Sequence, residues 1–305
     1  MRRAARTFGP DDLTAKSTMF LPFRMNSHRL WYQLWSRTCD PPRLHARKPC
    51  RQKILPRTIC IFVHYLSWTP LTKDGLERAE ALLRRAIQLD PHYSDAWAAL
   101  ADALGRQVVG LWKTEAEFGS EVKKAALMSV KLDPENGEAL GVAAWALASF
   151  GGPLDQAADF ARRAVMVHPN SAVVRAHCGW ALVISGELEE ALANLEAGRR
   201  MDPLGPRFHI TQNAMAAAYF FQRKFDKALE LARGVVARNP GHPVSLKFSA
   251  AALVHLGQLD EARATIDQLR HWHPNATLSN TRWYFRHPWM VELFGGALRT
   301  AGLPE

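Results

Sequence analysis

Nothing in the sequence is long and apolar enough to cross a bilayer. The longest apolar run, Ile59–Leu66, is interrupted by His64 and falls far short of the ~20 residues that a spanning helix needs. Arg2 and Arg3 are not followed by an apolar stretch, which excludes a secretory signal of the usual kind. Cysteine is scarce after residue 70, where Cys178 stands alone, so a disulfide framework is excluded. A single thiol in an Ala-rich body fits a reducing compartment, and a cytoplasmic location is expected. Cys39, Cys50 and Cys60 lie near His28, His45 and His64, but the cysteines are 11 and 10 residues apart. Structural zinc sites pair their ligands about two to four residues apart, so no metal is expected, and no cofactor. Acids are almost missing from the first 70 residues, which hold Asp11, Asp12 and Asp40 against 13 Lys and Arg. The other 235 residues carry 26 charges of each sign, so the net +10 belongs entirely to the leader. Charge of that kind invites a nucleic-acid partner, but the leader shows no strand alternation and no amphipathic stripe. Residues 1–70 therefore read as a basic leader, disordered or non-native, with no specific nucleic-acid site.

What the sequence does have is a repeat, the signal to seek first. Five times a large apolar residue, two polar residues and an alanine recur. They are Leu76–Ala79, Leu154–Ala157, Leu188–Ala191, Phe225–Ala228 and Leu259–Ala262. A proline follows each alanine after 12 residues, at Pro91, Pro169, Pro203, Pro240 and Pro274, and a degenerate copy ends at Pro134. Between Ala and Pro the apolar residues fall at helical spacing, as in Ala79, Leu83, Ala86 and Ile87. The alanine lets a neighbouring helix come close. The proline stops the helix because it has no backbone donor. Asp74 and Glu77 are spaced as a capping box for the first helix. Partner helices are expected over Ser94–Leu104, Gly137–Phe150, Ala172–Ser185, Phe208–Phe221 and Val244–Leu256, with Gly151, Gly186 and Gly257 in the turns. Gly105–Ser120 reads as an insertion, and the first helix of the first pair would fall in Ile59–Trp68, where the pattern is poor.

A period of ~34 residues built from two helices resembles the tetratricopeptide repeat. The resemblance implies an all-α right-handed solenoid over residues 71–274, with about six units and the first incomplete. Stacking buries the face that a single unit cannot. Residues 275–305 would cap the end through a short helix, Asn280–Tyr284, and a longer one, Val291–Ala301, broken by Pro288. The phrase Lys73–Ala79, the insertion and the ending Ala297–Glu305 together resemble the C-terminal region of bacterial class III adenylate/guanylate cyclases, and that of winged-helix regulators with the same repeats. In those families a domain ahead of the repeats does the chemistry and the repeats regulate or recruit. The first 70 residues are too few for such a domain and match no cyclase catalytic position. The resemblance therefore implies a non-catalytic protein or a severed regulatory half, able to pair with itself or with a cyclase chain.

Tetratricopeptide arrays bind protein or peptide segments on the face lined by the first helix of each pair, where residues about four apart share a side. At one register this face carries Asp95 and Asp102, then Trp145, Trp180, Asn213 with Phe220, and Lys247, among small residues. Trp145 and Trp180 occupy equivalent places. They read either as aromatic anchors for a partner or as packing between helices. A carboxylate clamp of Lys, Asn and Arg is not expected, because only Asn213 and Lys247 suit one.

Overall fold

A computed structural model of the chain describes residues 72–280 and 285–305, apart from 204, 206 and 207. Those residues form twelve helices and no strand. In order they are α1 (Lys73–Leu89), α2 (Ser94–Val109), α3 (Glu115–Leu132), α4 (Gly137–Ser149), α5 (Leu154–Val167), α6 (Ala172–Ser185), α7 (Leu188–Met201), α8 (Phe208–Phe221), α9 (Phe225–Val236), α10 (Pro243–His255), α11 (Leu259–Trp272) and α12 (Pro288–Thr300). The even-numbered helices α2–α10 are the first, or A, members of five pairs, and the odd-numbered ones are the second, or B, members. Each A helix packs on its own B helix, on the B helix before it and on its A neighbours, so the pairs stack into the expected all-α solenoid. The leader, the Cys and His positions within it, the helix expected over Ile59–Trp68 and residues 281–284 of the helix expected over Asn280–Tyr284 lie outside the described residues.

The repeated phrase does what its chemistry dictates. Leu76, Ala79, Leu83 and Ala86 form the buried stripe of α1, and the phrase alanines Ala157, Ala191, Ala228 and Ala262 are fully buried. Five of the six B helices then have their cap at the residue before the proline, whereas α9 ends at Val236 with its cap at Ala237, ahead of Pro240. Asp90 and Asp133 end α1 and α3, and their carboxylates accept from the backbone amides of His92 and Glu135. His273 takes the same position after α11 and reaches back to the Gly241 carbonyl. In the A–B turns Gly151, Gly186 and Gly257 adopt φ of +75°, +89° and +77°, a region that costs other residues about 1–2 kcal/mol. Arg223 occupies the equivalent place in the α8–α9 turn at φ +60°.

Three expectations need correction. The first cap is Thr72, whose hydroxyl accepts from the Gly75 amide, and Asp74 lies inside the first turn. Gly105–Ser120 is not a separate insertion. It extends α2 to Val109 and starts α3 at Glu115, with a short turn between them. The extension is tied back to α1, because Gln107 and Lys113 both donate to Glu80. Burial raises the Glu80 pKa, but hydrogen bonds from Lys113, Gln107 and Arg84 outweigh it and hold the carboxyl below its ordinary value. Finally, Pro288 begins α12 rather than breaking a helix, as suits a residue with no donor to offer the first turn.

The B helices are joined by a regular ion ladder. Arg84 pairs with Glu121, Arg162 with Glu190, and Arg233 with Glu261. In each pair the arginine lies five residues after the phrase position, and the glutamate lies just before that position in the next repeat. The steps from α3 to α5 and from α7 to α9 lack the rung. Leu127 and Gln156 hold the first pair of places. At the second, Glu196 accepts from the Tyr219 hydroxyl while the Lys227 ammonium lies over the Tyr219 ring.

Candidate functional site

The A helices use small residues where they approach one another. A Cβ on Gly141 of α4 would sit 3.7 Å from the Val174 backbone of α6. That closeness lets groups two helices apart meet. Asp102 of α2 accepts from Arg106 at 2.8 Å and lies 3.2 Å from His177 Nε2 of α6, across α4. Trp145 of α4 packs beside this clasp, edge-on to Phe150 at 5.7 Å and 5.8 Å from the His177 ring. It is 7 % exposed, and its indole fills the space left by the missing side chain of Gly105.

The other register positions are equally engaged. Asp95 is exposed and accepts from the Asn136 amide group at 2.6 Å, which ties α2 to the cap of α4. Trp180 is half-buried and packs on Leu195, Ala214 and Met215. Trp145 and Trp180 therefore share a register but not an environment. Asn213 of α8 accepts from the Ser245 hydroxyl at 2.7 Å and lies 3.4 Å from His242, the cap of α10. Lys247 belongs to the same knot and is 2 % exposed. Phe220 is fully buried among rings. Arg106, His177, His242 and Ser245 were not picked out from sequence. Their signal was available only in part, since His242 precedes a helix-starting proline and Arg106 lies four residues after Asp102.

Burial sets the electrostatics. Desolvation pushes the Lys247 amine down to about 7, and burial with the nearby Lys247 and His273 pushes His242 down to about 4. The folded Lys247 thus releases its proton near pH 7, while the unfolded chain keeps it until about pH 10. Between those values the unfolded state holds more protons, so stability should rise with pH, by at most about 1.4 kcal/mol per unit. Urea midpoints from pH 7 to about 8, below the range in which the unfolded Cys178 thiol ionises, are expected to climb for the native chain and to stay level for Lys247→Met. A flat native profile would remove Lys247 as the cause. The Cys178 thiol is also buried, which pushes it up to about 12. Among the described residues no cluster of three His, Cys, Asp or Glu could hold a metal ion, and no helix is long and apolar enough to cross a membrane.

The C-terminal segment completes the site. α12 packs on α10, an A helix, and not side by side with α11, where the next A helix of a solenoid would lie. The residues leading into it run along the C-terminal ends of the A helices. Arg286 donates to the Ala148 carbonyl of α4 at 3.3 Å. The His287 ring lies 3.5 Å from where a Cβ of Gly186, after α6, would be. Phe285 and Trp289 contact Phe221 of α8 at ring distances of 4.7 and 5.5 Å. Phe294 meets Phe248 of α10 at 4.6 Å, and the Leu293 carbonyl lies 3.2 Å from His255 Nε2. The chain end is pinned by the Leu278 amide, which donates to the Pro304 carbonyl at 2.7 Å.

The tetratricopeptide repeat family matches residues 221–280. The transcriptional regulator HilA of Salmonella typhimurium is 24 % identical over 194 residues, covering 63 % of this chain and 34 % of HilA. The chain thus spans about a third of the length of the curated relatives it matches. Human IFIT1, solved as a dimer with m7Gppp-AAAA, aligns with a TM-score of 0.59 at 16 % identity, over 78 % of this chain and 53 % of that one. A chain of the Cut9–Hcn1 hetero-tetramer of the APC/C aligns with a TM-score of 0.54 at 10 % identity, over 82 % and 46 %. Identities this low speak for the fold alone. With the helix pairs, the proline-terminated B helices and the stacking order already described, that fold is a tetratricopeptide-repeat solenoid.

Proposed function

We propose that the chain is a non-catalytic scaffold that binds a protein segment on its A-helix face. The observation that carries this reading is the seating of residues 285–294, which are not part of any repeat, on A helices from four successive pairs. A face that accepts one peptide by carbonyl, ring and backbone contacts has the chemistry to accept another. Asp95, Asp102, Trp145, Trp180, Asn213, Phe220 and Lys247 line or support that face. Trp180 and Asp95 are the two that are not buried, so Trp180→Ala with Asp95→Ala is expected to weaken a captured partner at least tenfold while leaving helicity nearly unchanged and lowering the unfolding midpoint only by the packing and the one hydrogen bond lost. Titration of that partner by calorimetry, with circular dichroism on the same samples, checks both halves. Unchanged affinity would move the site off this face.

A second reading is supported by the likeness to a named transcriptional regulator over a third of its length. Here the repeats regulate a domain that lies elsewhere, and by the sequence resemblance that domain would be a nucleotide cyclase or a winged helix. On either reading the purified chain should form no cyclic nucleotide from ATP or GTP above a metal-only blank.

A further inference from the structure

We infer that residues 285–296 act as an intramolecular ligand of the A-helix face. A partner would bind there by presenting one aromatic residue in an extended lead-in, as Phe285 is, followed by a short helix with aromatic residues placed as Trp289 and Phe294 are. The inference rests on the scaffold reading above and names the partner's chemistry. Three features separate this segment from an ordinary end cap. It lies along A helices of four pairs rather than behind the last one. Its contacts are of the peptide-recognition kind, with two buried aromatic anchors, Phe285 at 4 % and Phe294 at 3 % exposure, and a guanidinium on a free helix-end carbonyl. Its helix is also weak by itself, since Gly295 and Gly296 stand in the middle of α12. Packing does not demand the second glycine, because a Cβ there would meet only Glu292 Oε1 at 3.7 Å. The helix also buries Met290, Ala297 and Leu298, yet as a single helix at the end of the array with two glycines inside it, it opens locally at lower cost than the repeats beneath it. A partner segment of the same pattern would recover the ring contacts and needs no new site.

The test uses the full chain and a fluorescent synthetic peptide of residues 285–305. Phe294→Ser should loosen the segment, so that the peptide binds this variant at least tenfold more tightly than the native chain. Amides of α12 should then exchange at least tenfold faster while those of α8 and α10 stay protected. Gly296→Ala should act oppositely, strengthening the intramolecular helix and weakening peptide binding about fivefold. A peptide carrying Ser at both Phe positions should not bind. If Phe294→Ser gains no peptide affinity, or loses protection through α8–α11, the segment is an integral part of the fold and the inference fails. It fails also if Gly296→Ala leaves peptide binding unchanged. A partner bound equally by the native chain and both variants would keep the scaffold reading and remove this one. Peptide binding as expected, with no protein segment able to compete, would keep the intramolecular ligand and remove the scaffold reading.

Discussion

Phe220→Ala should cost about 3–5 kcal/mol and should do so unevenly along the chain. Phe220 is fully buried. Its ring centroid lies 5.4 Å from Phe221, 5.3 Å from Phe225, 5.7 Å from Phe248 and 5.7 Å from Phe294, mostly edge to face. Truncation to a methyl group removes the transfer energy of a phenyl ring and leaves a void. Each lost aromatic pair adds about 0.5–1.5 kcal/mol. The neighbours are rings with two torsions each, so they cannot flow into the space as a flexible side chain would. In a solenoid, stability is close to a sum over adjacent units, and the loss falls on the α8–α12 block. Amide exchange should show that block opening in a urea range where α2–α6 stay protected. A single unshifted transition across the whole array would contradict the central place given to this ring. Phe220→Leu keeps most of the volume and should cost less than half as much.

Gly105→Ala should be the second damaging change, against the expectation of helix propensity. Gly105 lies inside α2, and an exposed glycine there would gain up to about 1 kcal/mol on becoming alanine. Here the new Cβ would sit 2.3 Å from Cη2 and 2.7 Å from Cζ3 of Trp145. An indole ring that is 7 % exposed and wedged between Phe150 and His177 has nowhere to move. Overpacking of this kind costs about 1–3 kcal/mol, which outweighs the propensity gain. Trp145→Ala alone should cost about 3–5 kcal/mol, because it empties the same space from the other side. The pair should not be additive. Gly105→Ala in a Trp145→Leu background should cost less than in the native chain, with a coupling of about 0.5–3 kcal/mol in a thermal or urea double-mutant cycle. A stabilised Gly105→Ala, or an additive cycle, would show that the ring yields.

These two sites mark where sequence reading stopped. The spacing of Pro91, Pro134, Pro169, Pro203, Pro240 and Pro274, and the glycines of the A–B turns, carry their meaning locally. A proline lacks a donor and a left-handed turn favours glycine wherever it occurs, so the solenoid and its period were legible. Gly105 reads as the start of an insertion because its reason for being small is not local. It is small to admit a ring from a helix 40 residues away. Trp145 and Trp180 looked alike at one register, and only their neighbours separate them: Gly105 and His177 around the first, Leu195 and Met215 around the second. Lys247 reads as a groove-lining lysine until its burial is known. The return of residues 285–294 onto four A helices depends on how tightly the pairs curve, which no single repeat encodes. Thr72 was missed as a cap because Asp74 offered a competing pattern two residues later.

The alternation of the ion ladder gives the array a grain. Rungs join α1 to α3, α5 to α7 and α9 to α11, and the two steps without a rung, α3 to α5 and α7 to α9, are also the ones where the B helix packs less closely on the A helix that follows it. If the chain were pulled at its ends, it would not unravel one repeat at a time. It would part first at those two seams, like a ruler that is scored at two marks, and release blocks of repeats between them. Added salt would soften the rungs and leave the seams as they are, so the contrast would shrink toward the packing difference alone as ionic strength rises.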